Sequence, residues 1–153
     1  MPRNIKRTSI ETVVVDASVG FKWFVPEGSE PFVPEAQQLM EDLFLGRLTV
    51  HVPWLFFYEL HNIFLFSQSR MSAHATAEAI RQLHALPLEI HSPSADSGSN
   101  ALKIAQRFRL SIYDATYLDL AENLGANLLT ADQKLFQKAR ESKCIRLIDS
   151  PVS

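Results

Sequence analysis

One stretch limits the possible folds more than any other: Ser111-Ile-Tyr-Asp-Ala-Thr-Tyr-Leu-Asp-Leu-Ala-Glu-Asn-Leu-Gly-Ala-Asn-Leu-Leu-Thr-Ala-Asp132. It reads as a helix, a glycine stop and a short apolar strand, with an aspartate at each end. Asp114 stands where the helix begins, and Ala115, Leu118 and Ala121 follow on one face. Gly125 ends the helix, because a residue without Cβ takes the left-handed C-cap conformation at little cost. Asn127-Leu-Leu-Thr130 then predicts a buried strand, with Asp132 just past its carboxyl end. Open α/β sheets gather ligands at the carboxyl ends of their strands. Two carboxylates are therefore expected to converge on one edge of a sheet.

The rest of the chain supplies the other strands. Residues 1–10 are polar and predict a flexible N-terminal arm. Thr12-Val-Val-Val15 is a β-branched run of the kind buried in a parallel sheet, and Asp16 ends it. Val19 to Phe24 is a short amphipathic segment, and Pro26, Gly28, Pro31 and Pro34 predict a loop. A helix is expected over Glu35 to Leu45, closed by Gly46, and Leu48 to Val52 alternates as a second strand. Pro53 is expected to open a helix, and Trp54 to Phe66 is apolar almost all round. Such a helix belongs in a core or against a partner. Ser72 to Ala85 predicts its hairpin mate, and Leu88 to His91 a third strand. His91 to Asn100 reads as a loop leading into a helix that ends near Arg109. Beyond Asp132, a helix over Gln133 to Ser142 and a strand over Cys144 to Ile148 close the chain. Strands alternating with helices, with no repeat and no linker, predict one domain over residues 1–153 built on a parallel α/β sheet of about five strands.

Composition narrows the partners. A net charge of −2 gives no bulk attraction to nucleic acid, so any basic patch must be local. The lone Cys144 cannot form an internal disulfide, which suits a reducing cytosol. The basic start is followed by too few apolar residues for a signal core, and no run reaches the ~18 of a membrane span. The expectation is a soluble cytoplasmic protein with no membrane contact.

Four acids stand out by context: Asp16, Glu59, Asp114 and Asp132. Each also has a structural use. The aspartates suit helix starts, where they cap and meet the dipole. Glu59 with Asn62 one turn on would make a narrow polar stripe facing solvent. Buried in so apolar a helix, Glu59 would instead need a partner or a metal. Hard cations such as Mg²⁺ bind through a few carboxylates plus water and substrate phosphate. Carboxylates clustered without a cation repel one another and raise their own pKa values.

The order of these motifs resembles the PIN-domain nucleases, especially the toxin ribonucleases of VapBC-type toxin–antitoxin pairs. The matching pieces are Val13-Val-Val-Asp-Ala-Ser18, Tyr58-Glu-Leu-His-Asn62, Ser111 to Ala121, and Leu128-Leu-Thr-Ala-Asp132 with Phe136. They cover roughly Thr12 to Leu147. The resemblance implies a three-layer α/β/α fold with a central, mostly parallel sheet. It implies an acidic site made by Asp16, Glu59, Asp114 and Asp132, holding Mg²⁺ or Mn²⁺, with Asp16 and Asp114 as direct ligands. Ser18 and Thr130 match small polar positions beside that site, and Asn62 matches an asparagine one turn after the glutamate. It further implies an endoribonuclease, an RNA substrate, a homodimer and a small antitoxin that occludes the site. The helices over Trp54 to Phe66 and Ser72 to Ala85 are candidate surfaces for both protein contacts.

Other readings have less support. Asp119 lies some 140° round the helix from Asp114 and is expected to face solvent or a neighbour rather than the site. The five histidines show no close metal-ligand spacing, and His61 reads as core or surface. Lys22 and Lys134 are the candidate contacts for RNA phosphate, though lysines of this kind equally suit a solvated surface. Aspartyl-phosphate chemistry, as in haloacid-dehalogenase-like phosphatases, wants a second aspartate two residues after the first, and Ser18 stands there. A non-catalytic PIN-like module that binds RNA or protein is the remaining alternative.

Overall fold

The computed structural model describes residues 9–67 and 71–149. Most of the expected N-terminal arm therefore lies outside the described residues. Strand β1 (Glu11–Val15) runs through α1 (Ala17–Gly20) into a 3-10 turn (Phe21–Phe24), then α2 (Val33–Phe44) and β2 (Leu48–Pro53). The hairpin of α3 (Leu55–Phe66) and α4 (Ala73–Ala85) leads to β3 (Glu89–His91). Helices α5 (Ala95–Phe108) and α6 (Ile112–Leu124) return the chain to β4 (Asn127–Thr130), and α7 (Gln133–Ala139) precedes β5 (Ile145–Leu147).

The five strands pair parallel throughout, in the order β3-β2-β1-β4-β5. Val13, Val14 and Val15 are all buried, so β1 is covered on both faces and both parities of the strand must be apolar. Right-handed crossovers put α2, α3 and α4 on one face and α5, α6 and α7 on the other, giving three layers. α6 packs over β1, β2 and β4 through Ala115, Leu118 and Ala121, the stripe that its 3.6-residue period predicts. Gly125 takes φ 61° as the helix stop. Among the described residues no helix is long and apolar enough to cross a membrane.

The strand order fixes where a site belongs. From β1 the chain moves outward to β2 and β3; after β3 it crosses back to β4 on the other side of β1. The carboxyl ends of β1 and β4 therefore flank the point where the winding reverses, and a crevice opens there. Asp16 follows β1, and Thr130 to Asp132 end β4.

Several local expectations need correction. Pro53 does not open a helix; it ends β2, buried and in register with His91. Having no N–H, it leaves the link to Trp54, whose backbone N–H donates to His91 O at 3.0 Å. The polar stretch after His91 becomes helical at Ala95, because Ser94 and Ser97 form a reciprocal capping box. α7 stops at Ala139, three residues short of the expected Ser142. α3 buries only Phe56, Phe57, Leu60 and Phe64. Trp54, Tyr58, Leu65 and Phe66 are exposed.

Candidate active site

Asp16 is set by the turn from β1 into α1. Its backbone is extended and its side chain caps the helix, accepting from Val19 N at 3.2 Å. Ser18 Oγ donates to Asp16 Oδ1 at 2.5 Å, and Thr130 Oγ1 donates to Oδ2 at 2.5 Å. Ser18 in turn accepts from Ala131 N at 2.9 Å, and Thr130 from Asp132 N at 3.0 Å. The two hydroxyls thus tie the ends of β1 and β4 together through one carboxylate. Both are where the sequence suggested supporting polar groups. Asp16 is only 5% exposed, and burial pushes its pKa up to about 6. The hydrogen bonds from Ser18, Thr130 and Val19 oppose that rise, and the nearby Asp114 carboxylate adds to it.

Glu59 comes from α3 and Asp114 from the first turn of α6, and both line one cleft with Leu55, Tyr58, Asn62, Ser111 and Tyr113. Glu59 is not part of a solvent-facing stripe. It is half-buried, and its Oε1 is fully enclosed without a hydrogen-bond partner. Burial, then Asp16 and Asp114, push its pKa up to about 7. Asp114 is raised too, by burial first; the Ser111 hydroxyl opposes this, Asp132 adds to it and Lys138 opposes it. Ser111 Oγ also accepts the Asp114 N–H at 3.0 Å. Asn62, exposed, shares the cleft with Glu59. Asp132, exposed, is the N-cap of α7, its Oδ1 accepting from Lys134 N at 2.8 Å and Leu135 N at 3.0 Å.

The fold therefore gathers Asp16, Glu59 and Asp114 into mutual electrostatic contact, with Asp132 beside Asp114. Among the described residues no three His, Cys, Asp or Glu side chains already stand close enough to enclose a cation. The donor set still fits a hard cation that keeps much of its water. It is all oxygen, its charges repel, and the Glu59 oxygen lacks a donor.

The basic residues divide. Lys22 is buried, with its ammonium 3.0 Å from Glu30, so it is a paired core cation and not an exposed phosphate contact. The loop after the 3-10 turn brings Glu30 to it, which the sequence did not reveal. Lys134 is exposed beside Asp132. Lys138, on the same helix, influences Asp114 and donates to Arg109 O at 3.3 Å.

Three further placements bear on the site. Asp119 is buried at 4% exposure and interacts with a neighbour, Asn123, as one of its two expected placements had it; both line an apolar pocket that adjoins the acidic cleft at Leu55, Tyr58 and Tyr113. The histidines do pair in space: His51 Nδ1 lies 2.8 Å from His91 Nε2, and His61 Nε2 lies 3.3 Å from His84 Nε2. Neither pair joins the acids. Tyr117 is fully buried beneath them, one turn after Asp114. Burial and the neighbouring Glu59, Asp16 and Asp114 hold its phenol far above the usual tyrosine range. Its signal in the sequence was the i+3 spacing from Asp114.

Comparison with known proteins bears on the fold and the family. A family model described as PIN domain matches residues 13–141. Ribonuclease VapC3 of Pyrobaculum aerophilum is 33% identical over 135 residues, covering 82% of this chain and 93% of that protein. The crystal structure of PAE2754, also from Pyrobaculum aerophilum, superposes with a TM-score of 0.67 at 18% identity, covering 91% of this chain and 92% of that one. A chain of a toxin–antitoxin complex from Klebsiella pneumoniae gives 0.63 at 14% identity, covering 92% of this chain and 99% of its own.

Proposed function

The chain belongs to the PIN domain family, and from that membership we propose that it is an endoribonuclease dependent on Mg²⁺ or Mn²⁺, the toxin of a toxin–antitoxin pair. One observation carries the reading: three carboxylates, one just after β1 and one each on α3 and α6, lie near enough at the switch point of the sheet to repel one another, each pushed above its usual pKa. Such crowding costs folding energy and is retained where a cation offsets it. Asp16 and Asp114 are the residues to hold it, with Glu59 and Asp132 completing the set. A bound divalent cation supplies positive charge that offsets the carboxylates, activates a water and steadies charge developing on the phosphodiester. Ser18 and Thr130 keep Asp16 oriented. Lys134, exposed two residues after Asp132, is the candidate contact for the RNA backbone.

An aspartyl-phosphate mechanism fits poorly. Both oxygens of Asp16 already accept hydrogen bonds and the group is 5% exposed, so it is badly placed as a nucleophile. The antitoxin and a second copy of the chain are the expected protein partners. The exposed Trp54, which caps α3, and Tyr58, Leu65 and Phe66 within it supply apolar surface of the kind such contacts bury. The cytosol is the expected setting.

The test is cleavage of a mixed structured-RNA panel by purified protein with Mg²⁺ or Mn²⁺, beside EDTA and Asp16→Asn controls. Cleavage lost in both controls is the expected result. A folded, partner-free protein that neither cuts nor binds Mn²⁺ would overturn it in favour of a non-catalytic binding module.

A further inference from the structure

Among the described residues, two enclosed side-chain polar atoms have no hydrogen-bond partner: Glu59 Oε1 and the Tyr117 hydroxyl. One is an acceptor lacking a donor and the other a donor lacking an acceptor. Glu59 is the strongest charged neighbour of Tyr117, ahead of Asp16 and Asp114, so both orphans lie in the same part of the molecule. The hydroxyl sits against the Glu59 carboxylate without reaching hydrogen-bond geometry.

Two of the other carboxylates have donors already in place. Asp16 Oδ1 accepts from Ser18 and from Val19 N, and Oδ2 from Thr130. Asp132 Oδ1 accepts two backbone N–H groups of α7. Glu59 has the enclosed oxygen left over. A fully buried ring at position 117 would pack as well as phenylalanine, and a hydroxyl without a partner only weakens a core. The placement makes physical sense if the hydroxyl closes on Glu59 when the site is loaded.

We infer that Tyr117 is a positioning residue whose hydroxyl donates to Glu59 Oε1 and holds that carboxylate facing Asp16 and Asp114. Tyr117 itself lies too deep to touch RNA, and it acts through Glu59. The inference rests on the reading of the site as a divalent-metal centre.

The experiment is Mn²⁺ binding by calorimetry, with no RNA present, for the full chain as wild type, Tyr117→Phe, Glu59→Gln and the double variant. Metal-free thermal midpoints are recorded alongside. Tyr117→Phe is expected to bind Mn²⁺ about 10–100-fold more weakly, the usual cost of losing a group that orients a ligand. Its metal-free midpoint is expected to hold or rise, since an unpartnered hydroxyl has been removed. In the Glu59→Gln background the same change should cost nothing further, because the two act as one unit. Tyr117→Phe binding within about twofold of a metal-binding wild type, or an equal loss in both backgrounds, would sink the positioning role and leave the metal centre standing. A folded wild type that binds no Mn²⁺ would sink both, and the wild-type arm alone reveals it.

Discussion

Replacing Asp16 with asparagine should stabilise the metal-free protein at pH 8 and fail to do so at pH 4. The carboxyl is 5% exposed and its folded-state pKa is about 6 against an ordinary 3.8. Burial dominates that rise, and Asp114 adds to it against three opposing hydrogen bonds. Since the folded value is the higher one, the native state holds the extra proton. The stability that this proton gives is fully present below about 3.8 and is lost as pH rises through about 6. At pH 8 the ionised group therefore costs about 3 kcal/mol. Asparagine removes the charge and keeps an acceptor for Ser18 and Val19 N. It turns an NH₂ towards Thr130, where a donor used to be received, at a cost of about 1 kcal/mol. The net gain at pH 8 is about 2 kcal/mol, or roughly 4–8 °C in melting temperature for a chain of this size. At pH 4 only the lost hydrogen bond remains, and the variant should be level or about 1 kcal/mol weaker. Thermal unfolding in EDTA at both pH values reads this directly. An effect of Asp16→Asn with the same sign and size at pH 4 and pH 8 would refute the claim that charge crowding strains this site.

Mn²⁺ affinity should fall as pH drops through about 7 and then about 6, because Glu59 and Asp16 must release protons to serve as ligands. Calorimetry should show at least a ~10-fold loss from pH 7.5 to pH 6, and a flat profile would contradict the assignment. Thr130→Val, which keeps the shape but removes the donor to Asp16 and the acceptor for Asp132 N, should cost about 1–3 kcal/mol in urea unfolding. Thr130→Ser should recover most of it, and equal losses would show that the hydroxyl is not what matters. Gly20→Ala should lower stability by about 1–3 kcal/mol, since a Cβ there would sit 2.6 Å from the ring of the fully buried Phe56. An unchanged or raised unfolding midpoint would mean that α1 and α3 can part without penalty.

What could be read from the sequence was whatever depends on neighbours along the chain. Thr12 to Val15 and Asn127 to Thr130 were legible as buried strands because both parities are apolar. Asp16, Asp114 and Asp132 were legible because each follows a strand end or opens a helix. That left the wider setting of each side chain undetermined. Pro53 suits the end of a strand as well as the first turn of a helix, and only the register with His91 decides between them. Lys22 had the spacing of a phosphate contact until the following loop returned Glu30 to it at 3.0 Å. The histidine pairs join residues 40 and 23 positions apart, beyond any local pattern.

Tyr117 shows most clearly why the site was only partly visible. In the sequence it is one more large residue on a helix whose alanines and leucines announce a core, and the same packing would suit phenylalanine. Its chemistry arises only where α3 brings the Glu59 carboxylate up to it. Motif order located the aspartates because each one terminates or opens an element. The group beneath them does neither, and its role is set only by the match of hydrogen-bond donors and acceptors within the folded site.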